Sequence, residues 1–324
     1  SLGNPNVKPP ESIKEAVYEI LDKEPPNLVH GYMSNSGYED VRDKIAGDIS
    51  KKYNLKLTGN NLIMTCGAAG GLNIVLKSLL NPGDEVIVFS PFFGEYENYV
   101  RNFDGKLVII PSDRETFEPD LNRLEDKINS RTKAVIIDSP NNPTGIVYSE
   151  KLIKSMAGVL NRKQEQLGTS IYLISDEPYR EIVYDGIKVP FVLNYYRNSF
   201  VVYSYSKSLS LPGERIGYVV CGSETDDFDN VMQSLNVANR ILGFVNAPSL
   251  FQRVIARCLD SKVDVNIYKK NRDLLYNHLV KIGFSCIKPS GAFYLFPKSL
   301  IPDDVEFAKR AKKFNLLVVP GSSF

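Results

Sequence analysis

The chain has 324 residues with 39 Lys+Arg against 38 Asp+Glu, a formal charge of +1, so no basic footprint marks it for nucleic acid or an acidic membrane surface. Apolar residues make up 43% and charged residues 24%, which excludes intrinsic disorder and predicts a globular protein of about two domains. No apolar run reaches the length of a bilayer and the N-terminus lacks signal-peptide regions, so a cytoplasmic protein without membrane partners is expected.

From the N-terminus, Glu11–Asp22 puts Ile13, Val17, Ile20 and Leu21 on one helical face, and the stretch from Tyr38 does the same with Val41, Ile45 and Ile49. A helix over Leu72–Leu80 follows, then strands at Glu85–Phe89 and Lys106–Ile110 and a helix at Leu121–Ile128. Next come a strand at Lys133–Asp138, a helix at Leu152–Leu167, and strands at Ile171–Asp176, Phe200–Tyr205 and Ile216–Cys221. Several of these strands are almost wholly apolar, as in a parallel sheet buried on both faces, and the alternation predicts an α/β layer architecture. Beyond residue 225 the pattern turns to long helical segments, including Val263–Ile282. Short strands at Phe284–Ile287, Ala292–Phe296 and Leu316–Val319 and a helix near Val305–Phe314 complete it. The expected division is a large α/β domain over 30–260 and a smaller α+β domain from 1–29 and 261–324. The chain opens at Ser1 without methionine and closes on Pro320-Gly321-Ser322-Ser323-Phe324, a turn with nothing after it. A trimmed polypeptide with an incomplete small domain is therefore expected.

Cysteines at 66, 221, 258 and 286 share no CxxC spacing, and the two histidines, His30 and His278, lie far apart. A zinc site, a disulfide scaffold and the common histidine-based hydrolytic mechanisms all lose support, and no metal is expected. Any chemistry rests on other side chains or on a cofactor.

Four motifs sit where strands end, the edge at which open α/β sheets hold ligands. Thr65-Cys66-Gly67-Ala68-Ala69-Gly70-Gly71 reads either as an anion site at a helix N-terminus or as a glycine-rich turn with close helix packing. Asp138-Ser139-Pro140-Asn141-Asn142-Pro143-Thr144-Gly145 is a turn by composition that would also hold an asparagine amide rigidly at a strand end. In Ile174-Ser175-Asp176-Glu177-Pro178-Tyr179, Asp176 would be partly desolvated and in need of a partner, with Glu177 as competitor and a helix N-cap as the plainer alternative. In Ser204-Tyr205-Ser206-Lys207, a lysine closing a buried strand has the setting of a Schiff-base amine, and Arg215, eight residues on, is suited to clamp a phosphate.

The ordered set Asn142-Pro143-Thr144-Gly145, Asp176-x-x-Tyr179, Ser204-x-Ser206-Lys207 and Gly213-x-Arg215-x-Gly217 resembles the class I/II aminotransferases, the aspartate-aminotransferase-like enzymes of fold type I that use pyridoxal 5'-phosphate (PLP). The resemblance covers essentially the whole chain, from Gly3-Asn4-Pro5 and Tyr32…Gly37 to Pro289-Ser290-Gly291-Ala292-Phe293-Tyr294 and the closing Pro-Gly-Ser turn. It implies a three-layer large domain with a mostly parallel seven-stranded sheet. By position, Lys207 would carry PLP as an internal aldimine and shuttle a proton, and Asp176 would pair with the ring nitrogen. Tyr179 and Asn142 would hold the phenolic oxygen. Ala68, Ala69, Ser204 and Arg215 would hold the phosphate, and Phe93 would stack on the ring, with core packing as the plainer alternative for Phe93. Gly3 and Asn142 would face the substrate, and Tyr32 would reach the phosphate of a second subunit, implying a homodimer.

The resemblance implies transfer of an amino group from an L-amino acid, aspartate first, to a 2-oxo acid such as 2-oxoglutarate. The family's substrate-carboxylate arginine would fall beyond Phe324; neither Arg257 nor Arg310 matches it. The same cofactor residues serve PLP-dependent C–S lyases and decarboxylases, and a non-catalytic PLP-binding sensor domain is a third reading.

Overall fold

A computed structural model describes residues 3–324. In chain order it runs α1 (Glu11–Lys23), α2 (Pro26–Val29), α3 (Glu39–Tyr53), β1 (Leu62–Thr65), α4 (Gly67–Leu79), β2 (Glu85–Ser90), α5 (Glu95–Arg101), β3 (Lys106–Pro111), α6 (Leu121–Lys127) and β4 (Thr132–Asp138). It continues with α7 (Glu150–Leu167), β5 (Tyr172–Asp176), β6 (Ser199–Ser204), α8 (Tyr205–Ser208), β7 (Gly217–Cys221), α9 (Phe228–Ile241), α10 (Ser249–Ile255), α11 (Val265–Lys281) and α12 (Asp304–Lys312).

The strands form one seven-stranded sheet in the order β1-β7-β6-β5-β4-β2-β3. Only β7 runs against its neighbours. The C-terminal ends of the other six strands therefore share one edge with the N-terminal end of β7, and every connection that reaches that edge is a candidate for ligand contact. The apolar strands are buried on both faces because side chains alternate. Ile63, Val88, Ile136, Ile174, Val202 and Val219 face one core shared with α4 and α9. Met64, Ile87, Val135, Leu173, Val201 and Val220 face another, shared with α1, α3, α7 and α10. This is the α/β layer arrangement that the alternation predicted, with the mostly parallel seven-stranded sheet that the resemblance implies.

Two local features matter for the site. Helix α4 begins at Gly67, five residues before the expected start, because its opening turn is glycine-rich and reads as loop on propensity alone. Burial holds it there: a β-carbon on Gly71 would lie 2.7 Å from Val202 and 3.0 Å from Val219, so the helix rests directly on the sheet. Close packing and a helix N-terminus, the two readings of this motif, are both present.

Strand β1 is absent from the sequence-based elements because four residues carry too little periodicity. The expected strands at 284–287, 292–296 and 316–319 do not form. Among the described residues these stretches find no ladder partner; a single bridge, Val183 to Gly291, stands in their place. An apolar alternation produces a strand only where a neighbouring edge accepts its hydrogen bonds.

Candidate active site

Strands β2, β4, β5 and β6 each deliver a polar residue to the shared edge just as the apolar run ends. Strand β5 delivers Asp176, buried to 5% exposure, and β4 delivers Asp138 at 4%. The two are register partners on adjacent parallel strands. The Tyr96 hydroxyl, on α5, donates to Asp176 Oδ2 at 2.8 Å. The Asn142 backbone N–H donates to Asp138 Oδ2 at 2.7 Å, which ties the following turn to the strand end. The Oδ1 atoms of both aspartates are buried without a hydrogen-bond partner among the described residues. Burial pushes Asp176 up to about 7, with the Tyr96 hydrogen bond acting against it and the Glu177 charge adding to it. Burial, and then the nearby Asp176 charge, holds Asp138 well above the carboxylate range.

Glu177 is engaged elsewhere. It accepts from the Ser175 hydroxyl at 2.7 Å and forms a buried ion pair with Arg180, whose guanidinium also donates to the carbonyls of Val189 and Pro190, each at 3.0 Å. Neighbouring residues leaving a strand point to opposite faces, so one acidic residue enters the shared edge and the other braces the loop.

Lys207 lies in α8, the single turn that follows β6. Its Nζ donates to the Gly3 carbonyl at 2.5 Å and lies 5.9 Å from the Tyr179 ring and 5.5 Å from the Phe293 ring. Burial, with Arg215 nearby, pulls Lys207 down to about 8, so a substantial fraction is neutral amine near physiological pH. The Tyr179 and Tyr294 hydroxyls share a 2.6 Å hydrogen bond.

At the other end of the edge, Gly67, Ala68 and Ala69 open α4, with their N–H groups among those left without intrahelical partners. Arg215 takes up the left-handed conformation at φ 50°. Its guanidinium donates to the Pro212 carbonyl at 2.9 Å and the Cys66 carbonyl at 3.4 Å, while the side chain remains exposed. Gly67 has φ +72°, which favours glycine, and a β-carbon there would fall 2.7 Å from Arg215 Nη2, so the arginine lies directly against the helix start. Ser204, at the end of β6, is buried and shares a 2.6 Å hydrogen bond with Ser206. This corner joins a cation, a helix N-terminus and hydroxyls, the donor set of an anion site.

The structure thus gathers Lys207 with Gly3 and Tyr179 and ties Asn142 to Asp138, the register partner of Asp176. It joins Arg215 to the start of α4, where Ala68 and Ala69 lie. Phe93 follows β2 and packs edge-on against Tyr96 at 5.6 Å. Tyr32 is 93% exposed and joins no part of this cluster. Three participants escaped the sequence reading. Tyr96 has the spacing of a core aromatic, and Tyr294 was noted only as part of a strand. Asp138 was read as turn composition, although its place at the end of an apolar strand repeats that of Asp176. Among the described residues no group of three or more His, Cys, Asp or Glu side chains is arranged to hold a metal, and no helix is long and apolar enough to cross a membrane.

Comparison with known proteins gives a consistent result. The family model for aminotransferase class I and II matches residues 1–324. A probable aspartate aminotransferase of Methanocaldococcus jannaschii is 31% identical over 330 residues, spanning 100% of this chain and 84% of that protein. The crystal structure of an amino transferase from Eubacterium rectale superposes with a TM-score of 0.98 at 45% identity, over 100% of this chain and 81% of that one. That of the aspartate aminotransferase of Thermotoga maritima superposes with a TM-score of 0.88 at 29% identity, over 99% and 82%.

Proposed function

This chain belongs to the class I and II aminotransferase family, and from that premise we propose that it transfers the amino group of aspartate to a 2-oxo acid such as 2-oxoglutarate, with Lys207 as the working amine. It is a PLP-dependent aminotransferase by family. The single observation that carries the assignment to this site is that one sheet edge holds both a half-buried lysine, lowered to about 8, and a buried aspartate whose Oδ1 has no partner among the described residues.

The residues present fit the cofactor. The orphaned Asp176 oxygen offers an acceptor for a protonated ring nitrogen, and the Arg215 guanidinium lies against the glycine that opens α4, beside that helix's free N–H groups. When bound, PLP supplies an electron sink for the charge left on the substrate α-carbon. Arg215, Ser204 and the Ala68 and Ala69 amides would hold its phosphate, and Phe93 would cover one face of its ring. Tyr179 and Asn142 would hold its phenolic oxygen.

The chemistry of the chain itself then falls to two groups. Asp176, with one oxygen fixed by Tyr96, would hold its negative charge opposite a protonated ring nitrogen without having to reorganise. Lys207, once free of the cofactor, has the proton affinity to take a proton from the substrate α-carbon and return it near neutral pH, where a base is most effective. Gly3 lies against Nζ and Tyr294, and would close the site over a bound amino acid, as would Asn142. Tyr179 and Tyr294 fix each other through one hydrogen bond, in which one hydroxyl donates and the other keeps its own O–H free to donate to a ligand.

Aspartate is favoured by the names of the Methanocaldococcus and Thermotoga relatives. A homodimer, in which the exposed Tyr32 reaches a neighbouring subunit, and the division into units 30–260 and 1–29 with 261–324 belong to the same proposal. The test is a single-turnover half-reaction. The PLP-loaded chain mixed with one amino acid at a time should release one equivalent of oxo acid fastest from aspartate. Pyruvate and ammonia released from cysteine, with no oxo acid from aspartate, would overturn the proposal.

A further inference from the structure

Asp138 and Asp176 form a pair that the proposed function uses only in half. They end adjacent parallel strands in register, both are nearly excluded from solvent, and each has one carboxyl oxygen with no partner among the described residues. Among the described residues no lysine, arginine or histidine forms an ion pair with either one; Arg180, the buried cation on this side, is committed to Glu177. The titratable groups that bear on Asp138 are Asp176 and Glu177 at the end of β5, Tyr148 after the 139–145 turn, Tyr96 on α5, Tyr179 beyond β5 and Tyr294 from the C-terminal segment. None of them supplies a positive charge.

Two adjacent buried carboxylates without a cation are not sustainable: each is desolvated and each repels the other, so the pair retains a proton. Charge matching gives the same count. A single positive centre, the ring nitrogen, would face Asp176, and a pair of charge −1 neutralises it, whereas −2 would leave one buried charge unpaired. The two aspartates also differ in what holds them. Asp176 accepts from a phenol that approaches from outside the sheet, while Asp138 accepts a backbone N–H from the turn it introduces.

We propose that Asp138 is a protonated, neutral carboxylic acid at the floor of the cofactor site, so that the Asp138–Asp176 pair carries one negative charge, located on Asp176. Asp138 is a positioning residue: Oδ2 anchors the 139–145 turn through the Asn142 amide, and the proton on the other oxygen keeps a second charge out of the site. Burial and the neighbouring Asp176 charge hold Asp138 well above the carboxylate range, while the Tyr96 hydroxyl, donating to Asp176, favours the charge on that residue. The part played by the ring nitrogen rests on the proposed function; the location of the proton does not.

The test uses the full chain without added cofactor at pH 8, where Asp176 is mostly ionised. Infrared difference spectra should reveal the C=O stretch of a buried protonated carboxylic acid in the parent chain and its loss in Asp138→Asn. Asp176→Asn should keep that band, which guards against Asp138→Asn failing to fold. The Asp176 carboxyl, followed by carbon NMR and assigned by its loss in Asp176→Asn, should titrate within about 0.3 pH units of the parent in Asp138→Asn, because a neutral acid is replaced by a neutral amide. Absence of the protonated-acid band from both the parent and Asp176→Asn would overturn the proposal. So would a fall of a full unit or more in the Asp176 midpoint in Asp138→Asn, since that would mean a charge had been removed. Parent-like PLP affinity in Asp176→Asn, with the band intact, would instead overturn the role given to the ring nitrogen and leave the Asp138 proton in place.

Discussion

Asp176→Asn offers the cleanest test of the site because it separates charge from shape. The substitution keeps an oxygen for the Tyr96 hydroxyl and removes only the ionisable group. In the folded chain without cofactor Asp176 titrates near 7, against 3.8 when exposed, because burial disfavours the anion. At about 1.4 kcal/mol per pH unit, ionised Asp176 destabilises the fold by about 4 kcal/mol. The sign follows from proton counts. Between pH 4 and 7 the folded chain binds more protons at this residue than the unfolded chain does, so stability falls as pH rises through that window and stays low above it. Any pH-independent cost of the amide cancels between two pH values. The stability of Asp176→Asn relative to the parent should therefore increase by about 3 kcal/mol between pH 5 and pH 8. Urea unfolding of both cofactor-free chains at the two pH values measures this directly. A difference that stays constant, or shrinks toward pH 8, would refute the reading of Asp176 as a desolvated carboxyl that gains from a cationic ligand.

Three further outcomes are expected. Lys207→Ala should keep the fold by circular dichroism yet lose more than the 10²–10⁴-fold that positioned proton transfer supplies; turnover within tenfold of the parent would exclude Lys207 as the working amine. In the parent, the rate at which PLP is reductively trapped on the chain should rise about tenfold per pH unit and level off near pH 8, where the Lys207 amine becomes neutral; levelling off near 10 would mean an ordinary lysine. Arg215→Lys should weaken PLP binding by roughly 10–100-fold in equilibrium dialysis, the loss of about 1.5–3 kcal/mol from a charge-assisted contact, with little effect on the cofactor-free fold.

What was legible in the sequence follows from which physical signal each element carries. Strands β2 and β4 to β7 are apolar runs bounded by turn residues, and burial on both faces makes such runs stand out. Helices α1, α3 and α7 announce themselves by one apolar stripe, as with Ile13 and Ile20, both buried, although Leu21 of the same expected face is exposed. The positions of Asp176 and Lys207 stood out because an ionisable group at the end of an apolar run contradicts its surroundings, and Arg215 stood out ahead of one. The choice between Asp176 and Glu177 was not legible, because which of two adjacent residues faces the open edge depends on strand register. Arg180, three residues beyond Glu177 and buried against it, is the hint that was available. Tyr96 could not be found: a phenol that reaches a buried carboxylate keeps the same helical spacing as one that only fills the core. The segments at 284–287, 292–296 and 316–319 mark the opposite failure, in which local pattern promised strands that the described residues give no edge to join.

The Arg215–Cys66 contact bridges positions 149 residues apart in the chain. Strand β1 reaches its place only by pairing with β7, the last strand of the sheet to be synthesised. Closure of so long a loop is an entropic cost that local structure cannot offset in advance. Half of the anion corner therefore leaves the ribosome early and waits, incomplete, for nearly the whole sheet to follow. A nascent chain arrested before β7 should retain no phosphate-bearing ligand, and completion of this corner marks the point at which the protein first becomes able to be loaded.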